Sequence, residues 1–364
     1  MNVCIIGEGL TALSLAKSLI NKKINVHYYH KSRNSNFSSN RTIGISKSNF
    51  EFFKEKIFQI SKNNYWKINR IEIYTDKIDT ENLLKFENDK NDLFYIIKND
   101  ELLKSLNSNL IKSKFFKKII LSKNINEEFL NKKEYDLIIN CDANNFLAKK
   151  YFTKKISKNY YNLAYTTILK HKKIENNTAT QIFTKQGPIA FLPISSTETS
   201  VVYSVDIKNK KFDNSDVIDL INKNNPKYLI NKIDKLNSFE LSSSNLRNYY
   251  HKNILAFGDM LHRVHPLAGQ GFNMTIRDLR ILTKIIEDKI ELGIQLDSYI
   301  LDEFEKKTKD KNFVFSKAID LIYESFNLDK KVQNKSFSKI LKSIGKNKNL
   351  NNYFIKLADT GINF

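Results

Sequence analysis

Cysteine is almost absent from this 364-residue chain, which has only Cys4 and Cys141. Two thiols exclude a disulfide framework and a cysteine-rich metal site, and they favour a reducing compartment. Long apolar runs are missing as well, since no stretch approaches the ~18 residues of a membrane span. The apolar run at residues 3–6 has no basic segment before it and is interrupted by Gly7 and Gly9, so we expect no signal peptide. These absences predict a cytoplasmic protein.

Glycine and proline are also scarce, with ten and four residues in the whole chain. A sequence that uses so few glycines places them where the backbone needs a conformation that other residues disfavour. Most of these residues fall in four short segments: Gly7, Gly9, Gly44, Gly187, Pro188, Pro193, Gly258, Pro266, Gly269 and Gly271. We therefore expect the functional site in these segments.

Arginine is scarce too, because it supplies only seven of the 60 basic residues, and the net charge of +21 comes from lysine. Lysine, asparagine, isoleucine and phenylalanine have A/T-rich codons, so we attribute much of this charge to genome composition. Few arginines and no binding motif argue against a nucleic-acid partner. Lysine favours weak peripheral contact with the inner face of an anionic membrane. With 41% hydrophobic and 27% charged residues, the composition is that of a globular protein with two or three structural units.

The first glycine cluster lies between a strand pattern and a helix pattern. Residues 3–6 are all apolar, as in a buried parallel strand, and Gly-Glu-Gly-Leu-Thr-Ala follows directly. A helical apolar period then runs to Ile20, and residues 24–29 read as a second strand. This order predicts a dinucleotide-binding unit with a pyrophosphate on the helix N-terminus, and a tight turn without a ligand is the alternative. The candidate cofactor residues are Gly7, Gly9, Leu10, Thr11 and Ala12.

The end of the second strand departs from this pattern. An acidic residue usually stands there and binds the ribose hydroxyls, whereas this chain has His30. Histidine can donate or accept a hydrogen bond but offers no carboxylate. We expect His30 to contact the cofactor and the affinity for its adenosine half to be weaker than usual.

The second glycine cluster is a loop between another apolar strand, residues 253–257, and a helical apolar stripe that begins at Ile276. The loop reads Gly-Asp-Met-Leu-His-Arg-Val-His-Pro-Leu-Ala-Gly-Gln-Gly-Phe-Asn from Gly258 to Asn273. Glycines and polar side chains before a long helix predict an anion or cofactor site at the helix N-terminus.

This loop resembles the second FAD motif of the aromatic-ring hydroxylase flavoproteins. The run His-Pro-Leu-Ala-Gly-Gln-Gly from His265 to Gly271 is closest to the ubiquinone-biosynthesis branch of that family. Four further segments are similar to family segments: 41–46 around a flavin-side arginine, 135–142 before an Asp-Gly motif, 187–193 in the substrate domain, and the helical tail 354–361.

The resemblance implies an α/β fold, with a Rossmann-like FAD-binding domain containing a parallel sheet, an antiparallel-sheet substrate domain interleaved with it, and C-terminal helices. The implied FAD-binding domain is discontinuous and covers residues 1–70, 98–154 and 250–300. The implied substrate domain covers 71–97 and 155–249, with strands at 71–74 and 201–205, and 301–364 form the C-terminal helical region.

The implied activity is hydroxylation of the aromatic ring of a polyprenyl phenol by O2, through a C4a-hydroperoxyflavin, with NAD(P)H as a possible reductant. The resemblance places Pro266, Gly269 and Gln270 at the reacting ring. The resemblance also implies further residues of the cofactor site: Arg41, Asp142, Gly258, Asp259, Gly269, Gly271, Phe272 and Asn273.

The Asp-Gly segment differs from the family pattern, because Ala143 and Lys149 replace the glycine and the arginine. A lysine does not replace the bidentate geometry of an arginine. Direct reduction by NAD(P)H is therefore the weakest part of this interpretation. Two alternatives stay open: a related flavoprotein that acts on another aromatic or isoprenoid substrate, and a catalytically weak, flavin-retaining scaffold of a biosynthetic complex.

Two histidines of the loop, His262 and His265, could serve as metal ligands, as a general base or as structural and flavin-side hydrogen-bonding groups. Their spacing of three residues would suit a metal on a helix, but glycines follow them and no cysteine or carboxylate cluster is near. We expect no metal and favour a role in loop structure or in hydrogen bonding on the flavin side.

Overall fold

The structure, a computed structural model, describes residues 1–31, 41–75, 82–87, 92–121, 135–208, 212–332 and 347–362. The α-helices in these segments are α1 (Leu10–Ile20), α2 (Lys47–Phe52), α3 (Asn99–Ile111), α4 (Phe146–Tyr151), α5 (Asn214–Lys223), α6 (Gln270–Glu291), α7 (Ser298–Val332) and α8 (Lys348–Thr360). The strands are β1 (Asn2–Ile6), β2 (Asn25–Lys31), β3 (Thr42–Ser46), β4 (Tyr65–Ile68), β5 (Arg70–Thr75), β6 (Leu84–Glu87), β7 (Phe94–Lys98), β8 (Phe116–Leu121), β9 (Leu137–Asn140), β10 (Lys155–His171), β11 (Thr178–Phe183), β12 (Pro188–Pro193), β13 (Glu198–Asp206), β14 (Ile230–Ile233), β15 (Asn237–Leu246), β16 (Tyr250–His251), β17 (Ile254–Ala256) and β18 (His262–Arg263).

The apolar run near the start of the sequence forms most of β1, which is buried from Val3 to Ile6 at the centre of a six-stranded sheet. The strand order is β16-β17-β9-β1-β2-β8, and only β16 at the edge runs antiparallel to its neighbour. Parallel neighbours need crossover connections, which explains why α1 follows β1 so directly. The carboxyl ends of β1, β9 and β17 therefore lie at one edge of the sheet, where doubly wound folds bind their ligands.

A second, mostly antiparallel sheet has the order β18-β15-β10-β13-β12-β11-β5-β6, with β14 also paired to β10. It contains the predicted strands at 71–74 and 201–205, within β5 and β13. Most of β13 is buried, because the side chains at 199–201 and 203–205 are all buried. The predicted α/β class, with a parallel sheet, an antiparallel sheet and C-terminal helices, is confirmed.

A small third sheet, β3-β7-β4, connects the two large ones. The hydroxyl of Thr42 on β3 donates a hydrogen bond to Ser200 Oγ on β13, over 2.8 Å. Strand β7 lies within the stretch that the sequence assigns mainly to the substrate domain, although its partners β3 and β4 lie in the stretch assigned to FAD. The domain boundaries stay predictions.

The chain after residue 297 is helical where it is described. Helix α7 packs on α6 through fully buried residues such as Ile300, Leu301 and Phe304. Helix α8 ends against α2, because Asp359 accepts a hydrogen bond from the backbone N–H of Ser48 over 2.8 Å. In the part of the chain that the structure describes, no helix combines the length and the hydropathy needed to cross a bilayer.

Candidate functional site

The turn between β1 and α1 has the geometry that the glycine pattern predicts. Gly7 has φ = +142°, and a Cβ atom there would lie 2.9 Å from Cys141 Cβ, so only glycine lets the turn approach β9 this closely. Gly9 has φ = +101°, and a Cβ atom on it would have nothing within 4 Å. Because α1 begins at Leu10, the N–H groups of its first turn have no acceptor within the helix. Open space beside such N–H groups suits a phosphate.

The second turn packs directly on the first. Gly258 has φ = +70°, and a Cβ atom there would lie 3.2 Å from Thr11 Cβ, too close for a relaxed side chain. Desolvation raises the pKa of the Cys141 thiol, and the nearby carboxylates of Asp259 and Asp142 raise it further. The structure therefore brings Thr11 and Gly258 together, although more than 240 positions separate them in the sequence.

The altered Asp-Gly segment forms an ordered turn. Asp142 Oδ1 accepts a hydrogen bond from the N–H of Asn144 over 2.8 Å, and its Oδ2 lies 3.4 Å from Lys31 Nζ. Asn145 caps α4 by accepting from the N–H of Ala148 over 2.9 Å. Hydrogen bonds of Asp142 and Asn145 thus order this turn, although it lacks the glycine of the family pattern.

His30 lies at the end of β2, where the sequence places it. Its Nδ1 lies 3.0 Å from the carbonyl oxygen of Lys31, while its Nε2 is buried and has no hydrogen-bond partner among the described residues. Burial lowers the pKa of His30, and the positive charge of Lys118 lowers it further. A neutral imidazole with one unused nitrogen fits a ligand hydroxyl group.

The N-terminus of α6 forms the other end of the site. Gly269 adopts a left-handed conformation, with φ = +62°, immediately before the helix. A Cβ atom on Gly269 would lie 3.6 Å from the ring of Phe94 and 3.9 Å from Gly44 Cα, so the loop contacts β3 and β7. A Cβ atom on Gly271 would have nothing within 4 Å, and α6 begins at Gln270. Open space therefore adjoins the first turn of a second helix.

Asn273 holds this loop against β3. Its Nδ2 donates to the carbonyl oxygens of Gly44 (3.0 Å) and Gly269 (2.9 Å). Its Oδ1 accepts from the N–H of Ser46 (2.9 Å) and from Asn49 Nδ2 (3.1 Å). The side chain is fully buried, and these four hydrogen bonds are all made with protein atoms. Asn273 positions the loop, and its predicted contact with the cofactor stays a prediction.

The remaining predicted residues lie along the same loop and on β3. Pro266 is half-buried before a short 3-10 turn, Gln270 is buried, and Phe272 packs on Phe53 with ring centres 6.4 Å apart. The side chain of Arg41 is exposed, and its carbonyl oxygen accepts a hydrogen bond from the N–H of Asn99 over 3.0 Å. Their roles at a bound ligand stay predictions.

The two histidines of the loop have different surroundings. His262 Nε2 lies 2.6 Å from Asp278 Oδ2, and Asp278 Oδ1 accepts from Asn312 Nδ2 over 2.9 Å. All three side chains are buried, so this network fastens β18 to α6 and α7. In the described segments, no three histidine, cysteine or acidic side chains form a group suited to a metal ion.

His265 lies in an aromatic cage. Its ring stacks on Tyr323, with centres 4.3 Å apart, and meets Tyr160 edge-on at 4.9 Å. Burial lowers the pKa of His265 to about 3, with a further contribution from Lys158, so the ring is neutral. Neither ring nitrogen has a hydrogen-bond partner among the described residues.

The cage belongs to an apolar cluster where the loop, the antiparallel sheet and α7 meet. Its buried members are Leu83, Tyr160, Ala164, Phe183, Leu241, Val264, Leu267, Met274, Phe315, Ile319, Tyr323 and Phe326. Sequence reasoning missed Phe94, Tyr160, Asp278 and Tyr323. Asp278 alone had a signal, because it is an acidic residue within the apolar period of α6.

Comparison with known proteins gives three consistent findings. A family model described as an FAD binding domain matches residues 159–307. The chain is 26% identical over 197 residues to the ubiquinone biosynthesis monooxygenase COQ6 of Caenorhabditis elegans, a match that covers 43% of this chain and 44% of that protein. It is 27% identical over 153 residues to the 3-demethoxyubiquinol 3-hydroxylase of Escherichia coli, covering 40% and 39%. The chain thus spans less than half the length of these two relatives.

Solved structures resemble the whole fold. The p-nitrophenol 4-monooxygenase PnpA of Pseudomonas putida superimposes with a TM-score of 0.78 at 11% identity, over 100% of this chain and 98% of that one. HpxO of Klebsiella pneumoniae, in complex with FAD and uric acid, gives a TM-score of 0.76 at 13% identity over 99% and 97%. At these identities the similarity shows the fold alone.

Proposed function

We propose that this chain, which belongs to the FAD-dependent aromatic-ring hydroxylase family, is a monooxygenase that hydroxylates the ring of a polyprenyl phenol in ubiquinone biosynthesis. The family prediction and its cofactor, FAD, are confirmed by the matched model and the named relatives. The relatives' names support a polyprenyl phenol as the substrate. The two helix N-termini with open space beside them support binding of the flavin cofactor that hydroxylation needs.

One observation carries the proposal: Gly258 brings the turn after β17 against Thr11 at the start of α1, and α6 contacts both that turn and α1. Gly9 and Gly271 leave open space beside the N-termini of α1 and α6. An anion at each end is stabilised by the free N–H groups and the helix dipole. A pyrophosphate on α1 and a flavin ring at α6 fit this pair of sites.

In this arrangement the chain's residues bind and orient the cofactor. The first turn of α1 would hold the pyrophosphate, and His30 Nε2 would bind a ribose hydroxyl. Asp259, in the turn after β17, would lie on the same side of the cofactor. The first turn of α6 would stabilise negative charge on the pyrimidine edge of the flavin ring. Bound FAD supplies the oxygen-activating redox chemistry, which requires a reductant and O2.

The apolar cluster beside His265 supports an aromatic, lipophilic substrate. Val264 and Leu267, which flank His265 and Pro266 in the chain, are buried in this cluster, and aromatic rings pack well against a phenol. The neutral ring of His265 keeps a hydrogen-bonding nitrogen in this apolar surrounding without adding a charge. The catalytic placement of Pro266, Gly269 and Gln270 rests on the family motif and on this position of the loop.

The test is product formation by the purified protein with FAD, NADH or NADPH, a short-chain prenyl phenol and isotopically labelled O2. We expect one labelled oxygen atom in the ring of the product. Gly271→Trp should abolish the product while the protein still folds, because the new side chain enters open space. Leu292→Trp is the matched control, since Leu292 is exposed elsewhere on the surface.

Two results would change the assignment. A flavin that binds but is not reduced by either nicotinamide indicates a separate electron donor. A flavin-loaded protein that forms no product with any phenol, even after chemical reduction, would favour the scaffold alternative.

A further inference from the structure

The last helix, α8, is hydrogen-bonded to the rest of the fold near both of its ends. Near its start, Asn351 Nδ2 donates to the carbonyl oxygen of Lys85 on β6 over 2.9 Å. Between the two ends, Leu350 and Tyr353 are 44% and 62% exposed, so these large apolar side chains add little packing. The polar contacts at the ends therefore matter for where α8 lies.

Asp359 makes the contact at the end of α8. Its Oδ1 accepts a hydrogen bond from the N–H of Ser48 over 2.8 Å. Its carbonyl oxygen accepts from the hydroxyls of Ser46 (3.1 Å) and Ser48 (3.2 Å). The carbonyl oxygen of Ser48 in turn accepts from Arg280 Nη2 on α6 over 2.9 Å. Asp359 thus bonds α8 to the segment where β3 ends and α2 begins, and this segment is bonded to α6.

The same segment holds the loop before α6. The N–H of Ser46 donates to Asn273 Oδ1 over 2.9 Å. Asn49 Nδ2 donates to Ser46 Oγ (3.0 Å) and to Asn273 Oδ1 (3.1 Å). Ser46 is therefore bonded through its hydroxyl to Asp359 and through its N–H to Asn273. In such a network each partner fixes the position of the next, so losing one bond weakens the others.

The residues after Asp359 contact α6 and the apolar cluster beside His265. Gly361 has φ = +78°, and a Cβ atom on it would lie 2.5 Å from Arg277 Nη1, so the backbone packs closely on this side chain. Ile362 is half-buried against the cluster. The segment that Asp359 fastens therefore adjoins both the helix that begins at the loop and the cluster proposed to receive the substrate.

We propose that Asp359 is a positioning residue for FAD: it fastens the end of α8 to Ser46 and Ser48, and through Ser46 it holds Asn273 and the loop before α6 in the conformation that binds the cofactor. This role rests on the proposed function, in which the first turn of α6 adjoins the flavin ring. The side chain of Asp359 acts through the protein and not by touching the reacting atoms.

The experiment compares Asp359→Ala and Asp359→Asn in the full chain. Alanine removes the acceptor for the N–H of Ser48, whereas the amide oxygen of asparagine keeps it. We expect Asp359→Ala to weaken FAD binding about tenfold, the effect of one lost hydrogen bond, and Asp359→Asn to keep most of the wild-type affinity. Fluorescence titration measures the affinity. Amide hydrogen exchange of the FAD-free alanine variant should accelerate at residues 42–49 and 265–273.

Asp297→Ala is the matched control. Asp297 Oδ1 also accepts from a backbone N–H, that of Tyr299, over 3.0 Å, and it lies at the start of α7. Its loss should leave the FAD affinity and the exchange at residues 42–49 and 265–273 unchanged.

The outcomes separate this role from a general loss of stability. Unchanged FAD affinity in Asp359→Ala, or exchange that rises equally along the whole chain, would overturn the proposal. Equal losses of affinity in Asp359→Ala and Asp359→Asn would also overturn it, because the hydrogen bond to Ser48 would then not be the cause. A wild type that binds FAD but hydroxylates no phenol would overturn the proposed function alone, since titration and exchange need no turnover.

Discussion

Replacing Asn273 by aspartate tests the claim that one buried amide holds the loop before α6 against β3. The substitution keeps the size and the accepting oxygen but removes the NH2 group that donates to Gly44 and Gly269. A carboxylate oxygen then faces two carbonyl oxygens in a fully buried place. The loss should therefore exceed that of an ordinary surface hydrogen bond.

The magnitude follows from the two carbonyls left without their donor. Each lost partner in the interior costs about 1–3 kcal/mol, so Asn273→Asp should lower the free energy of unfolding by about 4 kcal/mol. Urea unfolding of the FAD-free protein measures this, and titration with FAD measures the loss of affinity. Asn347→Asp is the control, because Asn347 only accepts hydrogen bonds, at the exposed N-terminus of α8, where a negative charge is favourable.

A change of less than about 1 kcal/mol in Asn273→Asp would refute this reasoning, since the amide would then not be fixing the loop. Loss of stability with unchanged FAD affinity would refute a narrower point, that the loop adjoins the cofactor.

Three further predictions concern the glycine turn and the two loop histidines. Gly9→Ala should cost about 1–3 kcal/mol in backbone strain at φ = +101° and weaken FAD binding at least about tenfold, as measured by fluorescence titration. His262→Leu leaves the buried carboxylate of Asp278 without its imidazole partner and should cost about 3 kcal/mol in urea unfolding. His265 has a folded-state pKa of about 3, below its unfolded value, so the unfolded chain binds the extra proton as the pH falls below about 6.5. Its contribution to stability is complete above that pH and is lost towards pH 3; about 2 kcal/mol disappears between pH 7 and pH 5.

The controls separate these effects from general damage. Gly293→Ala introduces the same kind of strain, at φ = +69°, away from both turns, and should leave FAD affinity unchanged. Equal affinity losses in the two glycine variants would contradict the phosphate site at Gly9. A His262→Leu variant as stable as the wild type would show that the pair with Asp278 contributes nothing. His265→Phe should remove part of the acid sensitivity, and an unchanged pH profile would contradict the neutral, buried state of His265.

Local patterns in the sequence predicted the glycine turns, because the strand, the turn and the helix there follow one another directly. Gly7, Gly9, Gly258 and Gly269 all have the positive φ angles that make glycine necessary. The apolar stripe that begins at Ile276 likewise predicted the helix α6. These features depend on neighbours in the chain, which a sequence displays.

Contacts between distant segments could not be predicted in this way. The role of Asn273 depends on β3, more than 220 residues earlier, and nothing in the motif distinguishes an amide that contacts a cofactor from one that fastens a loop. The same holds for His262 and His265: both stand in one glycine-rich loop, yet only His262 meets a carboxylate. The difference arises from the partners that the helices supply, since His262 meets Asp278 of α6 whereas His265 stacks on Tyr323 of α7.

The most direct test of the account is the flavin content of the folded protein. The purified chain, supplied with FAD and freed of unbound cofactor, should show a flavin absorption spectrum with one FAD per chain. The Gly271→Trp variant should show none of it, although its circular dichroism is that of the wild type. A folded wild-type chain that binds no FAD would contradict the account, because the two helix ends would then hold no cofactor.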